Sequence, residues 1–489
     1  MKTSAAVIVT ILVMLALAML FLSGPDREYT TTSDEAYRLL EQGVEQLYAV
    51  KRPQAIASLA EAVELDPDFA MAWAMLGNAQ TTLDPDAVAE SASIADSLAK
   101  RLPNDLERAK VHLVVAGLKG SGSYNGDSLI SFILAEQPED LLANLARATQ
   151  LFYMRDDNAA DAFHHVLKIE PNHAMAYNML GYLEANRGNY DQALENLRKY
   201  AFMAPDLANP HDSLGEVLAW MGRYDEAQKE FLKALKLQPD FHYSLVNLGE
   251  VYMSRGQLAK GVQILEDVRA QVQGTPLERD IDESLIRTYY EFELYEESLA
   301  SIDAYVARRP DSQTAMYYRA VAAVMRGDEA RGREFLAEFR AELTDKHNEN
   351  DAEVQRTLRR LDYQFEAICS FAKGEHATAA TAWSSMLELR TKAAPHELWS
   401  VLWRQGESYL ASGQPRKALD NAFAILEVNP QLIRPLLLMA RAALDIGETD
   451  IARKALQKLQ KIMPKADPDL PAQQTYRQLL SEIATTATS

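Results

Sequence analysis

Two hydrophobic patterns divide this chain of 489 residues. From Ala5 to Leu22 every position is apolar except Thr10. Roughly 18 helical residues at ~1.5 Å each reach ~27 Å, close to the ~30 Å of a bilayer core. Residues 1–24 are therefore expected to form a transmembrane signal-anchor, with residues 25–35 as a linker. Lys2 precedes the run, while Asp26, Glu28, Asp34 and Glu35 outnumber Arg27 after it, which by the positive-inside rule leaves the N-terminus in the cytoplasm and the body outside. The competing reading is a cleaved signal peptide with Ala16-Leu17-Ala18 as its small-x-small site, and it also exports the body; against it, the apolar run continues through Leu22.

Beyond the linker the pattern is amphipathic and repeats. Strand-rich runs of Val, Ile and Thr are scarce, and Gly and Pro recur at intervals, which predicts an all-α chain. Pro138, Pro171, Pro205 and Pro239 are 33, 34 and 34 residues apart, and Pro430 to Pro464 is again 34. Small residues twelve apart recur at Gly43/Ala55, Gly181/Ala193, Gly215/Ala227, Gly249/Gly261, Gly406/Ala418 and Ala440/Ala452. Such pairs belong where two helices approach closely, with Pro ending the second helix and Gly188, Gly222, Gly256, Gly413 and Gly447 in the turns between helices.

The stretch Ala208-x2-His211-x2-Leu214-Gly215, then Gly222-x-Tyr224-x2-Ala227-x3-Phe231-x2-Ala234 and Pro239, resembles the tetratricopeptide repeat. That resemblance implies a right-handed superhelical solenoid of about twelve helix pairs. Their starts are expected near Ala36, Ala70, Leu106, Leu141, Ala174, Ala208, His242, Arg279, Gln313, Arg360, Trp399 and Ile433. The wide interval before Arg360 marks an insertion containing Asp345 to Asp351, followed by a lengthened helix through Val354, Leu358, Leu361 and Phe365. The array thus divides into residues 36–344 and 345–464. Residues 465–489 supply a capping helix from Leu470 to Ile483 and a disordered tail from Ala484. Ala176-Tyr-Asn-Met-Leu-Gly-Tyr182 is similar to bacterial arrays found as extracytoplasmic parts of regulators and kinases, which places the body in the periplasm. A eukaryotic organelle protein with a cytosolic body remains open.

The formal charge of −20 argues against nucleic acid, whose phosphates are bound by Lys and Arg, and favours basic partners. One cysteine, Cys369, excludes an internal disulfide. No catalytic site, cofactor or metal is expected. His164, His165 and His173 match no ligand motif, and Gly120-Ser-Gly-Ser-Tyr-Asn-Gly126 lacks the Lys-Ser/Thr of a phosphate loop. His396-Glu397 lacks the second His of a zinc protease helix, and no Gly-x-Ser-x-Gly occurs.

The resemblance implies a concave face lined by first-helix positions 2, 5, 9 and 13. In the central units these include Asn178, Tyr182, Asn209, Asp212, Glu216, Trp220, Tyr243 and Glu250. Leu40 and Val44 stand where carboxylate-clamping arrays carry Lys and Asn, so a clamp is excluded. The expected ligand is a protein segment with basic and apolar side chains, its cations on Asp212, Glu216 and Glu250. An anchored scaffold follows, with a sensory module of a membrane signalling complex as the alternative and an enzyme less favoured.

Overall fold

A computed structural model describes residues 27–48, 51–81, 85–119, 125–346, 351–390 and 393–486. The expected membrane anchor, residues 120–124 of the glycine-rich turn and residues 347–350 of the polar insertion lie outside them. Among the described residues there are twenty-five α-helices, two short 3-10 turns and no strand, and no helix is long and apolar enough to cross a membrane.

The described residues form two compact units, divided between Met179 and Leu180. In the first, α1 (Asp34–Tyr48) pairs with α2 (Arg52–Leu65), α3 (Ala70–Gln80) with α4 (Pro85–Ala99), α5 (Asp105–Lys119) with α6 (Gly126–Glu136), and α7 (Leu141–Tyr153) with α8 (Ala159–Ile169). Helix α9 (Ala174–Asn186) crosses the division and is followed by α10 (Tyr190–Met203). The second unit continues with α11 (Ala208–Trp220) and α12 (Tyr224–Leu237), α13 (His242–Ser254) and α14 (Leu258–Gln271), and α15 (Pro276–Glu291) and α16 (Tyr295–Arg308). Then come α17 (Gln313–Met325) and α18 (Glu329–Lys346), α19 (Ala352–Ala372) and α20 (His376–Glu388), α21 (Trp399–Ala411) and α22 (Pro415–Val428), α23 (Ile433–Asp445) and α24 (Thr449–Ile462), and a last helix α25 (Pro471–Thr486).

Ten first helices begin within two residues of the starts read from the period. Two differ. Helix α15 begins three residues before Arg279 because Thr275 caps it, accepting from the Glu278 N–H at 3.4 Å while Glu278 reaches back to the Gly274 N–H at 2.9 Å. Helix α19 begins at Ala352, eight residues before Arg360, with the Asp351 carboxylate accepting from the Val354 N–H at 3.4 Å. At the other end α25 continues to Thr486, through residues expected to be disordered.

The small residues of the period have a more specific partner than expected. A Cβ on Gly43, Gly181 or Gly215 would lie 2.6 Å from the side chain of Leu59, Leu197 or Phe231, sixteen positions later. The small residue of the first helix thus admits a large one from the second. At Gly249 and Gly261 the backbones themselves close up, since a Cβ on Gly261 would stand 2.5 Å from the Gly249 carbonyl oxygen. A carbonyl in a helix cannot swing aside. Gly261→Ala is therefore expected to destabilise by about 1–3 kcal/mol despite its better helix propensity. Gly117→Ala, with no neighbour within 4 Å, should be neutral or stabilising by up to ~1 kcal/mol. Urea midpoints of the two variants test the contrast.

Where packing skips a helix, it joins first helix to first helix, α1 to α3, α3 to α5, α5 to α7, α11 to α13, α17 to α19 and α21 to α23, and it joins α23 to the last helix α25. First helices therefore line the tighter, inner side of each unit. In the second unit the later repeats also pack on the earlier ones. One continuous apolar core joins Val246, Leu265 and Leu285 to Leu436, Leu459 and Leu479. Polar ties flank it: Asn429 Nδ2 donates to the Tyr224 hydroxyl (3.0 Å), Gln431 Nε2 to the Gly222 carbonyl (2.5 Å) and the Asp467 N–H to the Gly256 carbonyl (2.8 Å). Gly222 is needed there twice over, for its φ of +70° and because a Cβ would meet Asn429 Oδ1 at 2.3 Å.

Candidate functional site

In the first unit a short segment ahead of α1 is held at the end of α2 and on α5. Asp66 accepts from the Thr31 hydroxyl (2.5 Å) and the Thr32 N–H (2.8 Å), and Glu107 accepts from both the N–H and the hydroxyl of Thr30 (2.6 Å each). Lys110, with no exposed side-chain surface, pairs with Glu28 and Asp140 and donates to Gln137 Oε1. Beside this strap lies a cavity of about 590 Å³ lined by Glu28, Glu41, Glu45, Asp140 and Glu170, by Tyr29, Tyr37 and Tyr48, and by Leu40, Val44, Met71 and Met75. No Lys or Arg lines it. Glu28 and Asp140 are engaged by Lys110, whereas Glu41 and Glu45, one turn apart and exposed on α1, have no ion pair among the described residues. Burial, with Asp140 and Glu28 nearby, pushes the Tyr29 and Tyr48 phenols upward, so they remain neutral hydrogen-bonding groups.

His173 is buried beside Tyr48, the two rings 4.8 Å apart. Burial lowers its pKa from 6.5 to about 4.

The residues expected to bind a partner in the central repeats form a ladder between repeats instead of standing free. Tyr182 donates to Glu216 (2.7 Å), Ser284 donates to Glu250 (2.6 Å), and Asp212 accepts from Ser244 (2.7 Å) and Asn247 (3.1 Å). Asp212 is 6 % exposed. Trp220 stacks on His396, centroids 3.7 Å apart. Glu216, Trp220 and Glu250 do share one chamber of about 370 Å³, whose opposite wall includes Trp399, Trp403 and Arg434. Tyr182 and Asp212 reach it only through their hydrogen bonds. The other three lie elsewhere: Asn209 accepts from the Tyr200 hydroxyl (3.0 Å), Tyr243 is 56 % exposed, and Asn178 lies in the first unit.

Burial pushes the Glu216 carboxyl from 4.5 up to about 7, although the Tyr182 hydroxyl pulls it down. Between those values the folded chain holds a proton that the unfolded chain has released. Stability from this site therefore falls as pH rises through that window. Glu216→Gln removes the titration, so its urea midpoint should fall less than that of the unaltered chain between about pH 5 and about pH 8.

The strap, Lys110 and the late-repeat wall were not anticipated. Thr30-Thr-Thr32 reads as linker until Asp66 and Glu107 are placed beside it. No local spacing links Arg434 to its partner Glu293 across 141 positions.

Stacked helix pairs with a lined inner side define a helical-repeat scaffold. The tetratricopeptide repeat family matches residues 162–195, 208–241 and 284–345. Those three stretches carry tetratricopeptide repeats. No curated protein matches the chain in sequence. Among solved structures it is similar to PilW, a type IV pilus biogenesis factor, at 19 % identity over 45 % of this chain and 99 % of that one, with a TM-score of 0.34. It is similar to yeast Tom70 at 13 % identity over 93 % and 96 % (TM-score 0.38), and to the APC/C hetero-tetramer Cut9-Hcn1 at 14 % over 92 % and 88 % (0.42). The family is generally non-catalytic, and its repeats serve as protein-interaction scaffolds.

Proposed function

We propose that this chain is a non-catalytic scaffold, tethered to the inner membrane by residues 1–24 with its repeats in the periplasm, and that the first unit receives a basic, partly apolar segment of another envelope protein. The acidic, tyrosine-lined cavity of about 590 Å³ carries this reading. Glu41, Glu45 and Glu170 supply charge-assisted acceptors for Lys or Arg. Met71 and Met75 give an adaptable apolar floor for the side chains between them. The central ladder residues keep a supporting place, holding consecutive repeats in register.

A photoreactive residue at Val44 in intact cells tests this. It should capture a discrete partner, and capture should drop sharply in the Glu41→Gln/Glu45→Gln/Glu170→Gln variant; equal capture contradicts the assignment. Protease added to spheroplasts should cleave the repeats, and full protection contradicts the periplasmic placement.

A further inference from the structure

A second cavity, of about 220 Å³, lies in the second unit among α15, α16, α17, α19, α20 and α21. Its depth is apolar, with Ile302, Val321, Ile368 and Trp383 among the wall residues. Two polar groups at its edge lack the partners such groups usually have. Tyr317 is 8 % exposed, and its hydroxyl has no hydrogen-bond partner among the described residues. Buried hydroxyls are nearly always satisfied, so an unpartnered one on a side chain that lines a cavity is a place for a ligand atom. Arg404 lies over the Tyr290 ring, 3.7 Å from its centroid, and 5.6 Å from that of Trp403, with no carboxylate at ion-pair distance among the described residues. Both side chains line this one cavity.

The geometry points to a binding site for a small aryl or branched-alkyl carboxylate, its apolar body beside Val321 and Trp383 and its carboxylate on the Tyr317 hydroxyl and the Arg404 guanidinium. The size fits a fragment, not a peptide: a cavity of about 150 Å³ suffices for benzene, and drug-sized ligands need about 300 Å³ or more. The charges at the mouth also fit. Arg287 is engaged by Glu250 at 3.5 Å, which leaves Arg404 for the ligand. Glu291 is the one carboxyl in the lining, and burial raises its pKa against the pull of Arg287, Arg404 and Arg434.

Calorimetry of the purified full-length chain with 3-phenylpropanoate tests the site, alongside the neutral 3-phenylpropanamide. Saturable binding at one site is expected. Arg404→Gln should weaken it about tenfold, and Tyr317→Phe several-fold, by loss of charge-assisted and neutral hydrogen bonds respectively. The amide should bind more weakly to the unaltered chain and be indifferent to Arg404→Gln. Val321→Phe, which fills the cavity, should abolish binding while far-UV circular dichroism stays helical; if that variant fails to fold, Arg404→Gln decides alone. Absence of saturable binding to the folded chain, or an affinity unchanged by Arg404→Gln, overturns the proposal.

Discussion

Lys110→Ala is expected to destabilise the first unit by about 3–5 kcal/mol, the range for removing one partner of a buried ion pair. The ammonium is fully buried and is held by Asp140 (2.5 Å), Glu28 and the Gln137 amide oxygen (2.5 Å), with the Tyr29 ring 5.9 Å away. Without it Asp140, only 6 % exposed, keeps its charge with no other ion-pair partner among the described residues. Lys110→Met, which keeps most of the volume, should cost nearly as much, because the penalty comes from the stranded carboxylate and not from a void. Adding Asp140→Asn to Lys110→Met should recover a large part of the loss. The strap should loosen too, since Glu28 loses its only ion-pair partner among the described residues. Proteolysis near Tyr29 together with urea denaturation tests this: the double variant should sit well above Lys110→Met, and equal stabilities contradict the ion-pair account.

The second large effect is expected at Asp282, 2 % exposed on α15. It accepts from Arg269 (3.1 Å), Arg308 (2.7 Å) and Arg309 (2.7 Å), which come from α14 and α16, so one carboxylate ties three helices together. Asp282→Ala leaves three guanidinium groups converging on a vacated acceptor. Glu278 offsets part of this by holding Arg309 at 2.9 Å and Arg308 at 3.6 Å. A loss of about 3–5 kcal/mol is expected, with Asp282→Asn intermediate because it keeps one acceptor oxygen without the charge. Hydrogen exchange should locate the loss at α14 to α16. A variant as stable as the parent contradicts the role assigned to this cluster.

The period made the helix pairs legible, because a small residue, a turn glycine and a terminal proline are local requirements of each repeat. Gly215 and Phe231 satisfy one another within thirty-four residues, so their relation is written in the sequence. Glu293 shows where such reading runs short: it takes the positive-φ position, at +61°, that Gly222 and Gly256 occupy in earlier repeats. Its carboxylate there pairs with Arg434, a partner supplied by a distant repeat. The same holds for Tyr224 and Asn429, 205 positions apart. Of the candidate site, the inner side of the first helices was readable for Glu216, Trp220 and Glu250. That Tyr182, Ser244 and Ser284 satisfy the neighbouring acids was not readable, since it depends on how one repeat turns against the next. The acidic cavity of the first unit escaped for a related reason: Glu41, Asp140 and Glu170 belong to different repeats, and only packing gathers them.

The most direct test of the scaffold reading is the affinity of the partner captured at Val44, measured on purified proteins at fixed ionic strength. Comparison of the unaltered chain with Glu41→Gln/Glu45→Gln/Glu170→Gln should show a loss of roughly tenfold or more, steeper at low salt, as desolvated charge pairs require. Equal affinities across the two chains at every salt concentration would contradict it.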